Sequence, residues 1–543
     1  MQKLLESYGI LIQENIKDIN VKINKNTITI HNSNISEIDL NILEQKQINK
    51  ITIKNCEIDY IYFANDNSIE LFFSDCVFKN QIIARGFNFR RKVSFEQCVF
   101  EKRIDFTTAI FNSQVDFNLT KFEDEVRFIK AKFLADYTNQ ENIENNFREA
   151  VFKDKTSFAK AEFKARVSFN IARFEGEARF INTKFLAEYT NHENIENNFR
   201  EAVFKGKTSF TRAELKAKVD FNTARFESEA RFINTSFFKN TIIFSEVEFN
   251  NVKFISGKKR DTININDTVE QTYLFQNVTF KGIVNFENIH IKDLNFKNVI
   301  FNNIVVFDNT TLDSKPKFIN CIFSNQFNIK QEHIQYDFKD ISKDSNDLTK
   351  LPNLENINKN DDFEKPSNLR DLFRKLKSNR IAHHNLIDAS ELRAQELYAR
   401  ELELKHKKIK NLKDTIEQWQ LFFYRKLCDH HTDLALNAKW LVFTIALYIL
   451  LIGKIWYIYP IALISFFIID VFLKAKNTSI IISSIIIFIT LCNQPKMILA
   501  IPNLLSNDFN WWQNLTTSIY IIVFGLIIFS LQKTARKNTI IPN

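Results

Sequence analysis

Phenylalanine falls on an eleven-residue period with two rings in each period, and that spacing excludes most folds. From Phe95 the aromatic positions run Phe95, Phe100, Phe106, Phe111, Phe117, Phe122, Phe128 and Phe133, in alternating steps of 5 and 6. The same steps carry Phe158, Phe163, Phe169, Phe174, Phe180 and Phe185. An amphipathic helix repeats at 3.6 residues and a half-buried strand at 2, so neither yields this pattern. A fixed longer period is the mark of stacked repeats, each burying its apolar face against the next.

The residue two before each ring is restricted too. Ile104, Ala109, Val115, Thr120, Val126 and Ala131 precede the rings from Phe106 to Phe133; Ala161, Val167, Ala172, Ala178 and Thr183 precede those from Phe163 to Phe185. A ring at one position and a small or β-branched residue two before it suit a narrow coil interior, where like positions stack along the axis. The fourteen Phe named above are the candidate structural core. A solenoid or a membrane protein can use 55 Phe; with 8 Gly and 7 Pro in 543 residues the chain is neither collagen-like nor disordered.

This pattern resembles the pentapeptide-repeat family, in its Phe-rich branch with alternating 5/6 spacing, over roughly residues 70–330. The resemblance implies a mainly β chain: a right-handed quadrilateral β-helix with two eleven-residue units, and so 22 residues, per coil. A longer duplication tests that coil length. RFIKAKFLADYTNQENIENNFREAVFKDKTSF recurs 52 residues later as RFINTKFLAEYTNHENIENNFREAVFKGKTSF, with one step of 14 in each copy, Phe133 to Phe147 and Phe185 to Phe199. Setting aside eight extra residues leaves 44, two coils of 22. The inserts, Leu134–Asn146 and Leu186–Asn198, should therefore leave at one corner, two coils apart, as a paired ridge.

Four cysteines obey the same rule: Cys56, Cys76, Cys98 and Cys321 stand two before Ile58, Phe78, Phe100 and Phe323. Free Cys behaves as a small buried hydrophobe, so packing is expected of them rather than metal or redox chemistry. After Phe254 the pattern lapses until Phe275, which leaves either one degenerate coil or a long loop.

The organisation read from these patterns is residues 1–70 as irregular N-terminal strands or a cap, 71–337 as the solenoid and 338–366 as a polar linker. A helical juxtamembrane segment at 367–435 follows, with Ser367 as its N-cap, then a transmembrane domain of about four helices at 436–532 and a basic tail at 533–543. The helical stretches resemble the segment that follows Phe-type repeats in bacterial membrane members of the family. The apolar runs are Trp440–Tyr457, Pro460–Leu473, Ser479–Leu491 and Leu515–Leu531; flanking residues complete the shorter ones to span length. Basic residues gather before the first run, between the second and third, and after the fourth, which places both termini and the solenoid in the cytosol and the chain in the inner (cytoplasmic) membrane. The opening stretch carries Glu6 and Glu14 and does not read as a secretory leader.

Charge narrows the function. The net +9 is not spread evenly: residues 1–337 hold 46 basic and 45 acidic residues, so the excess lies in the C-terminal third, where a membrane surface explains it. A near-neutral rod does not mimic DNA, which disfavours the topoisomerase-inhibitor role of some soluble pentapeptide proteins, and no nucleic-acid partner is expected. His383, His384, His430 and His431, with Cys428, Asp429 and Asp433, invite a metal reading, but no i, i+4 pair of histidines with the usual ligand spacing appears. No nucleophile elbow, phosphate loop or carboxylate pair stands out, so no enzyme, cofactor or metal is expected. The sequence favours a membrane-anchored scaffold with a protein partner; a channel or transporter with a solenoid accessory is the alternative, with Asp470 its weak pore candidate.

Overall fold

In a computed structural model of the chain, the described residues are 2–13, 20–135, 144–187, 196–256, 271–336, 338, 364–407, 409–452, 488, 492 and 510–536. They form two units, Met1–Ile334 and Gln335–Asn543.

The first unit is a β-solenoid of about 12 turns. Each regular coil carries four short strands, for instance Val93–Glu96, Val99–Phe100, Ile104–Asp105 and Ile110–Phe111. Every one pairs in parallel with its equivalent 22 residues on: Val93 with Val115, Phe100 with Phe122, Ile104 with Val126, Phe111 with Phe133. Such ladders commit the backbone of one coil to the next and leave side chains to alternate inward and outward.

Inward positions hold the Phe columns. All fourteen candidate rings are buried, none more than 1% exposed. Rings of successive coils lie nearly parallel, with centroids 5.4 Å apart for Phe95–Phe117, 5.3 Å for Phe106–Phe128 and 5.0 Å for Phe111–Phe133. That is slightly wider than the roughly 4.8 Å between paired strands, as an offset stack requires. Neighbouring columns meet edge to face, as Phe95 meets Phe100 at 71°. The residues two before the rings are buried beside them, Cys76 and Cys98 included. Thr183, Thr235 and Thr310 fill this slot by donating their hydroxyls to Phe158, Phe210 and Phe286 carbonyls 2.7–2.8 Å away on the preceding coil.

Coil register explains the duplication. Phe133 pairs with Phe163 across 30 residues, and Phe163 with Phe185 across 22, so a coil that carries an insert is longer than a regular coil by the eight residues counted in the sequence. The strands that end each insert, Glu144–Asn146 and Glu196–Asn198, occupy one sheet with Arg166–Ser168 between them, which sets the inserts two coils apart; residues 136–143 and 188–195 fall outside the described residues. The lapse after Phe254 is a single long coil, because Phe254 stacks directly on Phe286 at 5.1 Å. No degenerate coil intervenes.

The ladders begin upstream of the Phe pattern. Thr27–His31, Lys50–Lys54 and Glu70–Ser74 pair in parallel, with Ile28, Ile51 and Leu71 inward where later coils carry Val. Two antiparallel strands, Ile10–Ile12 and Asn20–Asn24, lie against the first coil and cover edge groups that would otherwise be open to pairing. Helix α1 (Gln2–Glu6) precedes them, α2 (Leu40–Gln45) sits between early strands with Asp39 as its N-cap, and α3 (Gln331–Ile334) follows the last strand.

Most regular coils turn twice through a left-handed residue, as at Thr108, Leu119 and Lys130, where the amide three after a Phe bonds back to that Phe's carbonyl. Asn tolerates this conformation and Leu does not favour it. Towards the C-terminal end, from Asn277 to Asn320, the position is Asn, as it is at Asn32 and Asn55 near the start, and the amides form ladders: Asn55 donates to Asn32 at 2.8 Å and Asn320 to Asn298 at 3.0 Å.

The second unit is helical: α4 (Glu364–Ala382), α5 (Leu386–His406), α6 (Leu412–Cys428), α7 (Leu434–Ile452) and α8 (Trp511–Ala535). Leu372, Phe373 and Leu376 are buried on one face of α4 as their spacing implies. The helix starts at Glu364, so Ser367 lies inside it rather than capping it; Pro366 is tolerated in a first turn, where no intrahelical N–H is needed.

Candidate functional site

On the solenoid, what a partner could meet is the outward side-chain array. Much of it is ion-paired along the axis. Glu123 accepts from Lys121 at 2.7 Å and from Lys153 of the next coil at 2.6 Å; Glu229 accepts from Arg231 at 2.6 Å and Lys253 at 2.9 Å. Exposed pairs of this kind contribute about 0–1 kcal/mol each, so their main effect is to balance charge across the face. Asp105 differs, because its carboxylate is fully buried and takes Arg85 at 2.6 Å, Arg103 at 2.7 Å and the Thr107 amide at 3.0 Å. Burial alone would raise its pKa, but the hydrogen bonds from Thr107, Arg85 and Arg103 outweigh burial and hold it at about 2.

Within the core, the slot two before the ring is occupied at the inserts by Asn145 and Asn197, both fully buried. Asn197 accepts from the Val167 amide at 3.2 Å, whereas neither amide atom of Asn145 has a hydrogen-bond partner. The Phe pattern gave no sign of these buried amides. Cys76 bonds weakly to the Ile53 and Ser74 carbonyls, and the Cys56 thiol is pushed up first by its contact with Cys76 and then by burial, so both behave as packing residues.

In the helical unit the charges interlock. Arg400 binds Glu417 through two 2.9 Å bonds, and Arg425 binds Glu401 through two at 2.8 Å, tying α5 to α6. The start of α6 is fixed by a capping box between Asn411 and Asp414. Both histidine pairs sit in turns rather than on helices: His383 and His384 lie between α4 and α5, and His430 and His431 between α6 and α7. Asp429, His430 and His431 are all left-handed. Burial, then Arg425 and His431, lowers His430 to about 3; burial, then Lys533 and Arg393, lowers His431 to about 4. Among the described residues no group of three or more His, Cys, Asp or Glu is placed to hold a metal.

One helix among the described residues, α8, is long and apolar enough to cross a membrane, and α7 has a shorter apolar stretch. At 25 residues α8 is about 37 Å long, more than the roughly 30 Å of a hydrocarbon core. Its Ile519, Ile522, Leu526 and Phe529 are exposed, an apolar surface that water does not favour. The other side meets α7, where Tyr448 and Tyr520 stack at 3.9 Å, Tyr448 pairs with Thr517 at 3.1 Å, and Asn437 donates to Ser530 at 3.0 Å. Polar pairs between helices of this type add about 0.6 kcal/mol each in a bilayer. The expected spans Pro460–Leu473 and Ser479–Leu491 lie outside the described residues except for Phe488, as does Asp470.

The fold defines a β-solenoid repeat protein and is consistent with the pentapeptide-repeat pattern, joined to a helical unit with one candidate span. Comparison with protein-family models, with curated proteins and with solved structures returned no match.

Proposed function

We propose that the chain is a membrane-tethered pentapeptide-repeat solenoid, right-handed, that acts as a protein-interaction scaffold without catalysis. One observation carries this reading: a single chain joins a stack of about 12 coils with charge-balanced outer faces to a helix able to cross a bilayer. Stacked repeats hold their outward residues at fixed spacing, which suits a surface presented to a protein partner. Nucleic acid is a poor fit to faces with 46 basic and 45 acidic residues over 1–337. For the tether, we place the chain in the inner membrane as a multi-pass protein with solenoid and termini cytosolic. Arg425 and Lys426 before α7, Lys439 near its start, and Lys533 and Arg536 at the end of α8 support that orientation.

The test is cross-linking in cells followed by detergent extraction of the full chain and of a chain lacking residues 71–337. A protein that cross-links to the first and is lost from the second supports the scaffold. Ion flux across liposomes holding the purified full chain, with no such partner, would replace it with the channel reading.

A further inference from the structure

Helix α6 carries two faces of opposite use. Asp414, Leu421, Arg425 and Cys428 are turned toward the protein: Leu421 and Cys428 are buried, Asp414 binds Lys407 and Arg425 binds Glu401. Leu412, Ile416, Trp419 and Phe423 recur at i, i+4, i+7 and i+11, so at 3.6 residues per turn they fall within an arc of about 60°. That arc is centred opposite the packed face. The four are 78%, 59%, 68% and 45% exposed. A helix that needed only one apolar face to fold would put charge there.

We infer that this face lies in the membrane interface, with α6 parallel to the bilayer surface and its aromatic stripe among the lipid acyl chains and headgroups. Three observations select lipid as the occupant. First, the C-terminal end of α6 is continuous with the apolar helices: Leu427 and Cys428 form one cluster with Ile527 of α8, and Trp440 of α7 packs on it while donating to the Lys426 carbonyl at 2.8 Å. Second, the stripe is bordered by exposed Lys410, Lys413 and Lys426, cations placed to meet anionic headgroups. Third, tryptophan and phenylalanine on one side and lysine at the margin make up the composition of a helix lying in the interface plane. The capping box at Asn411 and the clamps Arg400–Glu417 and Arg425–Glu401 fix the rotation of α6, so the stripe cannot turn inward without breaking them. This inference rests on the tether proposed above, and its test separates the two.

The full chain, with its exposed Cys492 changed to serine and its other five cysteines buried, is reconstituted into vesicles of phosphatidylcholine and phosphatidylglycerol. A nitroxide is attached in turn at Trp419→Cys, Phe423→Cys, Lys413→Cys and, on α8, Ile522→Cys. Collision with oxygen, which concentrates in lipid, is compared with collision with a water-soluble nickel chelate. The expected result is oxygen exceeding nickel at 419, 423 and 522, and the reverse at 413. Nickel exceeding oxygen at 419 and 423, with 522 still in lipid, overturns the interfacial helix and leaves the tether standing. Labels at 419 and 423 shielded from both reagents mean that a second copy or a protein partner covers the stripe, which also overturns it. Nickel access at 522 overturns the tether and this inference together.

Discussion

Phe72 and Phe73 are neighbours in one strand with the same side chain, and their opposite directions give the sharpest energetic contrast in the solenoid. Phe73 is fully buried, stacked on Phe95 at 5.1 Å and edge-on to Phe78 at 5.3 Å. Phe72 points outward, partly exposed, with the Lys54 ammonium 5.5 Å over its ring. Phe73→Ala removes a ring from a column that cannot close around the gap, at a cost of about 3–5 kcal/mol. Phe72→Ala forfeits an exposed cation–π contact of about 0.5–1 kcal/mol. The assay is native-state hydrogen exchange by mass spectrometry on the full chain, read at inter-coil amides such as Asp75, Val77 and Val99, which donate to Glu96, Cys56 and Cys76. At about 1.4 kcal/mol per tenfold, Phe73→Ala should accelerate their exchange by roughly two to four orders of magnitude and Phe72→Ala by less than about tenfold. Because coils contact only their neighbours, the coil around Phe286 should be little changed. Equal effects of the two substitutions would refute the inward–outward assignment on which the coil rests.

Three further outcomes are expected. Asn145→Val should stabilise the coil by about 1–3 kcal/mol, since it removes a buried amide without partners; slower exchange at the Val167 and Phe147 amides would show it, and faster exchange would count against it. Gly206→Ala should destabilise by about 1–3 kcal/mol, because the new Cβ would lie 2.2 Å from the Gly176 carbonyl oxygen of the adjacent coil; an unchanged urea midpoint would contradict this close packing. His430 and His431 have folded pKa values depressed to about 3 and about 4, so between those values and roughly 6.5 the unfolded state binds more protons. The helical unit should therefore lose stability as pH falls from about 6.5 towards 4, and His430→Leu should flatten that dependence; proteolysis at pH 7 and pH 5 checks both.

Much of the solenoid was legible because its signal is periodic. The Phe positions, the small residue two before each and the eight-residue inserts follow from counting, and the register of Phe133, Phe163 and Phe185 agrees with that count. The first coils were less legible, since Ile28 and Ile51 do the inward packing there without rings and the offsets are 23 and 20 residues. Asn145 and Asn197 escaped because a polar residue in an apolar slot breaks the pattern that locates the slot. The turns at His383–His384 and Asp429–His431 lack the Gly or Pro that normally marks a helix end, although His384 and Asp429–His431 are left-handed. On α6 the spacing of Leu412, Ile416, Trp419 and Phe423 is plain in the sequence, but only the neighbouring helices decide that this stripe faces outward.

The claim that a solenoid is carried on a membrane-spanning chain is tested most directly by alkaline carbonate extraction of membranes from cells making the full protein. This treatment strips peripheral proteins, the interfacially bound included, and leaves those that cross the bilayer. The full chain is expected in the pellet. Recovery of the full chain in the supernatant would contradict the account.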